Sequence, residues 1–572
     1  MLIRDSRGVS RSSRRKRSRN DERGIALILV IAAMTALLLG ALAAVQYAVG
    51  YLPLARADQD RIAALAAAEA GVNDYLNRLN QDPNYWGDGS TNLAMQTTPS
   101  WGWVPVAPGS DAYFHYSVDA SDITNYKENN SPTGSWGTLY VTSTGRVRNV
   151  TRTIQVGLRQ ATFLDHLYLS MYNLVDPTLG QNVSGMTPQQ AMKYCVYYAY
   201  QENPNTGEPG PDLQLPGCQS LINYWVAGNV VNGPMLSDDD YYIDSSGGTG
   251  PTFDDTVQTA DPNPGDAPYY KDPANPGGAN PIFEKGPITG GVPSVVFPSS
   301  IFSYIGQDVA APGSSPNPDL GCEYYGPTSI TFNGDKMQVY SPDTPAGEAN
   351  TGCLGTDPSQ WLSLPANGVI YVANAPADDT CNVPTPGWAQ FAETGCMGEA
   401  FVEGTVDGQV TVAADDNIYL MAPQGSSSTT IGAASFSGGD VMGLAAGNFV
   451  LVNHDTTPGA IADSFGPETY ATTVKQVTLN AAVFTLQGSL GTDNYWNGLG
   501  HGDDVLTING AIVSKFMDIE GEFSVGGGLT AGYNEVYNWD SRLAHLTPPY
   551  FIPSTDSQWV EVSYAELPAE NG

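Results

Sequence analysis

The sequence has little charge, and beyond its first 23 residues it has very little positive charge. Charged residues make up 15% of the 572, and nine of the 24 Lys and Arg lie in residues 1–23, with only three of the 59 acids. The rest of the chain is therefore strongly acidic, and such a surface repels nucleic acid and anionic lipid. This charge excludes nucleic acid as a partner and fits solubility outside the cell.

The motifs that carry common enzyme chemistry are missing. The chain has no GxGxxG, P-loop, GxSxG or HExxH sequence. It also has no CxxC pair and no histidines at zinc-finger spacing. The five histidines are far apart: His115, His166, His454, His501 and His545. These absences predict a non-catalytic protein without a metal centre.

Two acidic clusters favour other interpretations. They are Asp238, Asp239 and Asp240 in SDDDYY, and Asp415 and Asp416 in AADDN. Adjacent carboxylates can bind Ca²⁺ or act in polysaccharide cleavage, but no Lys or Arg lies beside these as a lyase base. Asp also favours tight turns. We interpret both clusters as turn residues, with a structural Ca²⁺ as the one candidate cofactor and polysaccharide cleavage as the enzymatic alternative.

Charge is absent altogether from Gly24 to Ala55. The stretch GIALILVIAAMTALLLGALAAVQYAVGYL exceeds the roughly 20 apolar residues that cross a bilayer as a helix. The basic residues 1–23 precede it, so the positive-inside rule places them in the cytoplasm and the bulk of the chain outside. A cleaved signal peptide is the alternative, but its apolar core is only about 7–15 residues long. The prediction is a single-pass protein of the cell membrane, in contact with membrane lipid.

A helical pattern continues in RIAALAAAEAGVNDYLNRL, residues 61–79. Apolar residues recur there at helical spacing, and an acid takes the missing position of the stripe. Alanine at the other positions favours helix. We expect one rod, half in lipid and half outside, whose stripe packs on a neighbouring domain or, alternatively, on another subunit. The stripe consists of Ile62, Leu65, Glu69, Val72, Leu76 and Leu79.

The pair DERGIALILVI and ALAAAEAGVNDYLNRL resembles the amino-terminal region of PilX-type minor pilins of type IV pilus systems, over about residues 20–80. The resemblance implies that prepilin peptidase cuts between Gly24 and Ile25. It also implies assembly with other pilins or pilus proteins through the helix. Major pilins carry Glu at the fifth mature position, where this chain has Leu29. The resemblance therefore implies a tip or initiating position in the filament, or a pilin-like protein that stays in the membrane. It does not imply a position along the shaft.

Short alternating strands dominate the rest of the chain, which predicts a mainly β fold. Three runs within 112–158 predict a small antiparallel β head packed on the helix. From Phe163, short strands separated by Gly, Asn and Asp predict an irregular parallel β-solenoid, with a β-sandwich as the alternative. The expected inward residues are Val402, Val406, Val410, Val412, Ile418, Leu420, Val450, Val452, Val477, Leu479, Leu506, Ile508 and Ile512.

The solenoid region also resembles the carboxy-terminal part of actinobacterial-type PilX-like surface proteins, in GNVVNGPMLSDD, GTVDGQVTVAADDNIYL and YNWDSRLAHLTPPYF. This resemblance implies a β-helical region without enzymatic activity. The last of these motifs is expected to cap the final coil. The predicted parts are a cytoplasmic leader, a transmembrane and pilin-like helix, the β head, the solenoid with its cap, and a tail, at residues 1–23, 24–80, 81–160, 161–555 and 556–572.

Cysteine is scarce, with six in the chain. An even number scattered through Gly- and Pro-rich sequence favours disulfides in an oxidising compartment. Nearest-neighbour pairing gives Cys195–Cys218, Cys322–Cys353 and Cys381–Cys396, although six cysteines allow 15 pairings.

The combined prediction is a membrane-anchored, pilin-like surface protein that acts without catalysis in type IV pilus-like assembly or adhesion. One alternative is a free-standing adhesin that binds surface carbohydrate through Tyr- and Asn-rich turns. The other is a β-helical enzyme that cleaves polysaccharide, whose turnover would be lost on Asp415→Asn or Asp239→Asn.

Overall fold

The protein's structure, a computed structural model, describes residues 21–82, 85, 92–96, 102–120, 138–179, 185–244, 250–264, 281–301, 305, 309, 321–344, 353, 360–375, 396–436, 438–454, 473–496, 498–517, 519–523, 528–544, 546–552 and 559–568. The α-helices in these ranges are α1 Asp21–Gln81, α2 Pro188–Tyr194 and α3 Pro216–Gln219.

The strands are, in chain order, β1 Val104–Pro105, β2 Ala112–Asp119, β3 Leu139–Val147, β4 Val150–Gln160, β5 Tyr168–Ser170, β6 Trp225–Val226, β7 Val230–Asn232, β8 Met235–Ser237, β9 Ile243–Asp244, β10 Thr252–Phe253, β11 Val257–Thr259, β12 Ile282–Phe283, β13 Cys322–Tyr325, β14 Thr328–Gly334, β15 Lys336–Tyr340, β16 Trp361–Ser363, β17 Val369–Ala373, β18 Ala400–Val406, β19 Gln409–Ala414, β20 Ile418–Leu420, β21 Ser428–Ala433, β22 Val441–Ala446, β23 Val450–Val452, β24 Gln476–Asn480, β25 Ala482–Thr485, β26 Leu490–Thr492, β27 Val505–Ser514, β28 Gly521–Phe523, β29 Leu529–Gly532, β30 Asn534–Trp539 and β31 Trp559–Leu567.

The first folded unit is a head made of α1 and a five-stranded antiparallel sheet in the order β1-β2-β3-β4-β31. The carboxy-terminal half of α1 packs on this sheet around a shared apolar core. α1 ends just before Asp82 and Pro83, as expected, because the residue before a proline disfavours helix. The predicted helix and small antiparallel sheet are confirmed.

The last strand of the head comes from the far end of the chain. β31 pairs antiparallel with β4, and Trp559 lies opposite Gln160. Trp559 is buried in the core of the head. This corrects the prediction of a tail at 556–572, because the alternation in WVEVSYAEL suits a strand with one packed face. The solenoid is therefore an insertion between two neighbouring strands of the head.

The solenoid is a 22-stranded sheet. Twenty of the strands form three faces, and β15 and β16 extend β14 as an antiparallel hairpin. Face A contains β11-β8-β5-β27-β25-β22-β19-β17-β13, and all of its pairs are parallel. Face B contains β12-β10-β7-β30-β27-β24-β21-β18-β14, also parallel throughout. Face C contains β18-β20-β23-β26. Strands β18 and β27 turn the corners between faces and join them into one sheet.

The interior of the solenoid is one continuous apolar core. All 13 residues predicted to point inward belong to it and are at most 2% exposed. Parallel pairing within each face excludes the alternative of a β-sandwich, whose sheets are antiparallel. The mainly β fold with a parallel solenoid is confirmed.

The order of the coils along the solenoid axis does not follow the order of the sequence. It enters at β5 and builds β8 and β11 toward one end of face A, then restarts at β13 at the opposite end. From β13 it stacks back through β17, β19, β22 and β25, until β27 pairs with β5. Nine strands about 4.8 Å apart place the two ends about 38 Å from each other. A seam between β27 and β5 thus joins segments about 340 residues apart in the sequence.

The chain segment that runs from β11 to β13 covers the outer side of face A. Val295, Phe297, Ile301, Ile305 and Val309 pack on the outward apolar residues of this face. The ring of Phe297 lies 5.1 Å from that of Phe484 in β25. Face A is therefore buried on both sides, as in parallel sheets of other proteins.

The predicted cap lies elsewhere than expected. Its residues around Phe551 also cover the outer side of face A, and Thr411 of β19 donates a hydrogen bond to the carbonyl of Pro549. The last coil needs no end cap, because β5 and β7 already pair with it. Asp540 and Arg542 form an ion pair at 2.7 Å, and Arg542 also donates to the carbonyl oxygen of Ser435.

An asparagine ladder runs along one corner of the solenoid and crosses the seam. Asn509 donates to the amide oxygen of Asn480 at 3.0 Å, and Asn538 donates to Asn509 at 2.9 Å. Asn232 of the first coil donates to Asn538 at 2.8 Å. The ladder begins with a bond from Asn480 to the carbonyl of Ala433. It fixes the register between coils, because each amide satisfies its neighbour.

We expect Asn509→Ala to lower the free energy of unfolding of the solenoid by about 2 kcal/mol, since it removes two bonds of the ladder. Urea unfolding followed by circular dichroism measures this loss. The control is Asn534→Ala, whose exposed side chain lies on the next strand of face B outside the ladder. Equal destabilisation by both substitutions would contradict a role for the ladder.

Candidate functional site

The amino-terminal half of α1 presents apolar side chains on all sides. Every large apolar residue from Ile25 to Leu52 is between 50% and 74% exposed. α1 is long and apolar enough to cross a membrane. This half of the helix therefore suits lipid or neighbouring apolar helices, because water around so many exposed apolar groups is unfavourable.

The other half of α1 is docked on the head through small residues. Ala64, Ala67 and Ala68 are at most 1% exposed, and they face Gly145 of β3. A Cβ atom on Gly145 would overlap backbone atoms of Ala64 and Ala68. Ser143 of the same strand donates a hydrogen bond of 2.8 Å to the carbonyl of Ala68. The absence of bulky side chains lets the backbones of helix and strand approach closely.

A polar network holds the same half of the helix at its far end. Arg78 donates to Asp74 at 2.9 Å, and the Tyr116 hydroxyl donates to the same carboxylate at 2.7 Å. Asn92 donates in turn to the Tyr116 oxygen at 2.6 Å. Burial and the hydrogen bond to Asp74 raise the pKa of Tyr116 well above its ordinary value. Tyr116 therefore stays a neutral donor that ties the sheet to α1.

The predicted helical stripe divides between the core and the surface. Val72 and Leu79 are buried, and Leu65 and Leu76 pack against the edge of the same core. Ile62 is 70% exposed. Glu69 is also exposed and interacts electrostatically with Tyr564 of β31. The buried stripe of α1 shares Val72 and Leu79 with the predicted stripe and otherwise runs along Ala64, Ala67, Ala68, Gly71 and Tyr75.

The predicted cleavage position lies within the described helix. Gly24 and Ile25 are both part of α1, and Ile25 is 61% exposed. Leu29, at the position where major pilins carry Glu, is 64% exposed. These residues begin the apolar half of the rod.

Asp238, Asp239 and Asp240 follow β8 and are buried. Asp239 accepts backbone N–H bonds from Asn173, Ala199 and Asp240, at 3.2, 2.7 and 2.9 Å. Asp238 accepts one from Val295 at 2.8 Å. Burial raises the pKa of Asp238 and of Asp239 to about 7. These carboxyl groups organise the surrounding loops.

Asp240 faces another acid across the cluster. Burial, and then the nearby charges of Asp261 and Asp239, raise its pKa to about 8. In the part of the chain that the structure describes, no group of three or more His, Cys, Asp or Glu could hold a metal ion. Asp238 and Asp239 accept hydrogen bonds from backbone N–H groups, and Asp240 lies beside the carboxyl of Asp261.

Asp415 and Asp416 lie at a corner between coils. Asp415 accepts hydrogen bonds from the Tyr371 hydroxyl and from the backbone of Asn374. Asp416 accepts one from Asn448 of the next coil, and burial raises its pKa to about 6. Both acids therefore stabilise turns.

Two of the three predicted cysteine pairs are disulfides in the structure, Cys195–Cys218 and Cys322–Cys353. The first links the ends of α2 and α3, and the second links β13 to the chain 31 residues further on. Cys396 is disulfide-bonded. Cys381, its predicted partner, lies outside the described residues, as do His545 and residues 1–20.

Comparisons with known proteins find a weak likeness to a solved structure. No family model matches the chain, and no curated protein matches it. Among solved structures, the chain is similar to the crystal structure of the competence-associated pilin ComZ from Thermus thermophilus, at 12% sequence identity and a TM-score of 0.24. The alignment covers 89% of this chain and 97% of that one.

Proposed function

We propose that this protein is a membrane-anchored, pilin-like surface protein that acts in assembly or adhesion by a type IV pilus-like machine, without catalysis. The observation that carries the proposal is the division of α1 into two halves. One half is apolar and exposed on all sides, and the other is packed on a small antiparallel sheet.

The exposed half fits two environments in turn. Before assembly it lies in the bilayer, where about 20 apolar residues are enough to span the hydrocarbon. In an assembled filament the same surface packs against apolar helices of other pilins. The docked half and the head hold the rod at a fixed angle, through the small-residue contact with Gly145 and the Asp74 network.

The size of the solenoid supports a tip or initiating position. The solenoid is far larger than the head, in which it is inserted between β4 and β31. A subunit at the end of a filament has room for such a bulk. Leu29 also supports a tip or initiating position, because it replaces the Glu that helps to set the register between subunits along the shaft in major pilins.

The acidic clusters have structural roles in this proposal. Asp239 accepts three backbone hydrogen bonds, and Asp415 accepts bonds from a tyrosine and a backbone amide. An acid or base in polysaccharide cleavage needs an oxygen free to reach the substrate. We therefore expect no polysaccharide turnover that depends on Asp239 or Asp415.

Mass spectrometry of the native amino terminus tests the proposed processing. The expected chain begins at Ile25, and Gly24→Leu is expected to retain Met1, because the larger side chain alters the residue just before the cut. Gly40→Leu is the control, since nothing lies within 4 Å of a Cβ there and the site lies inside the apolar segment. An intact Met1 in the wild-type protein would contradict processing as a pilin and favour the free-standing adhesin.

A further inference from the structure

A cavity of about 360 Å³ lies at the seam, between the first coil of the solenoid and the last. One wall comes from residues 219, 220, 222–226 and Asn229, and the other from 517, 519–523, Glu535 and Tyr537. We call it the seam cavity. It belongs to neither acidic cluster of the sequence. Its volume falls at the small end of the range for ligand pockets.

One residue of the first wall carries a buried donor that has no partner among the described residues. Trp225 is 3% exposed, and its indole N–H meets no acceptor in the described part of the chain. The ring itself is fixed by edge contacts with Tyr168, Phe253 and Tyr537. An unpaired buried donor is unfavourable, so a ligand that brings an acceptor to this N–H gains binding energy.

The walls supply acceptors. Glu535 is 9% exposed and accepts a long hydrogen bond, 3.4 Å, from Asn229, as well as one from its own backbone N–H. Glu520 is hydrogen-bonded to the Tyr537 hydroxyl. Glu522 accepts a 2.9 Å bond from Tyr495. The cavity thus offers a donor from Trp225 and acceptors from carboxylates, and a hydroxyl group is the common group that can satisfy both.

The aromatic residues at the rim and the negative charge of the walls restrict the chemical class of the ligand further. Tyr224 and Phe523 are half-buried aromatic residues that line the cavity, and such rings can pack against the apolar face of a sugar ring. Among the described residues, no Lys or Arg lines it. Uronates, sialic acids and phosphates would meet the exposed carboxylate of Glu522 without a cation, which is unfavourable.

We propose that the seam cavity binds a neutral saccharide unit, with Trp225 donating to a sugar hydroxyl and Glu535 accepting from one. This goes beyond the proposed pilin-like role, because it assigns a ligand class and a site on the solenoid. It does not depend on that role. A chain that keeps Met1 but binds sugar would fail as a processed pilin and retain this site.

The test uses the full chain in lipid nanodiscs, since glycoside detergents would compete for the cavity. Saturation-transfer NMR titrations compare methyl glucoside, methyl galactoside, methyl mannoside and N-acetylglucosamine with glucuronic acid. At least one neutral saccharide is expected to bind saturably, and glucuronic acid at least about tenfold more weakly, because it places its charge beside the carboxylate of Glu522. A second arm compares polysaccharide isolated from the producing cells with polysaccharide from foreign surfaces. Binding of either supports the site and identifies the source.

Two substitutions locate the site. Trp225→Phe keeps the buried ring but removes the N–H, and should weaken binding about tenfold. Tyr224→Ala removes a ring at the rim and should weaken it to a similar degree. Trp496→Phe is the control, because Trp496 is 45% exposed and does not line the cavity. The proposal is overturned if no neutral saccharide or polysaccharide binds, if glucuronic acid binds equally well, or if both cavity variants bind like the control.

Discussion

Gly145→Val is expected to unfold the head, with a loss of at least about 3 kcal/mol in its folding free energy. Intrinsic strand propensity predicts the opposite sign, because Val favours strands and Gly does not. The contact with α1 decides the outcome. A Cβ at this position would overlap the backbones of Ala64 and Ala68. Backbone atoms cannot relieve the overlap by changing rotamer, as a side chain can.

Hydrogen exchange read separately on peptides of the head and of the solenoid measures this effect. Protection should be lost in β2, β3 and the second half of α1, whereas the solenoid core keeps its own. Gly502→Val is the control, since Gly502 is exposed and nothing lies within 4 Å of a Cβ there. A head that stays protected in Gly145→Val would show that α1 does not dock where the structure places it.

The second large effect is on the pH dependence of the solenoid. Asp238, Asp239 and Asp240 have ordinary pKa values of 3.8, which burial raises to about 7, about 7 and about 8. The folded state therefore holds protons that the unfolded state releases. The resulting stabilisation is complete below about pH 4 and is lost as pH rises to about 8. One carboxyl raised by three units corresponds to about 4 kcal/mol, so the unfolding midpoint should fall markedly between these limits.

Asp240→Asn separates this cluster from the general charge of the protein. The amide stays neutral, as the protonated acid does, so the variant should gain stability near pH 8 and change little near pH 5. Asp111→Asn, at an exposed position in the head, removes one negative charge without altering the cluster. Thermal unfolding at several pH values compares the three proteins. Parallel curves for wild type and Asp240→Asn would contradict the assignment.

Elements with a strong local pattern could be predicted from the sequence. The uncharged stretch from Gly24 to Ala55 specifies a long helix, and β-branched residues that alternate between Gly and Asn turns specify buried solenoid strands. All 13 predicted inward residues are buried for this reason. The asparagine ladder was also visible in principle, because Asn480, Asn509 and Asn538 repeat every 29 residues.

What could not be predicted depends on contacts between distant segments. The alanines of α1 were interpreted as helix formers, and only Gly145, some 80 residues away, makes them a docking surface. The return of the chain to β13 leaves no local signal, since any short parallel strand can pair with any other of matching pattern. The seam cavity follows from that return, as its residues Trp225 and Glu535 meet only where β30 pairs with β7.

The insertion of the solenoid into the head has a mechanical consequence. Gln160, where the chain leaves β4, lies opposite Trp559, where it comes back. A force that drags the solenoid away from an anchored α1 would pull both connections in the same direction from neighbouring points. The load would be split between two covalent tethers, and the ladder between β4 and β31 would feel no shear. The tension would pass to the hydrogen bonds between β4 and β3, and from there to the packing contact between the sheet and α1.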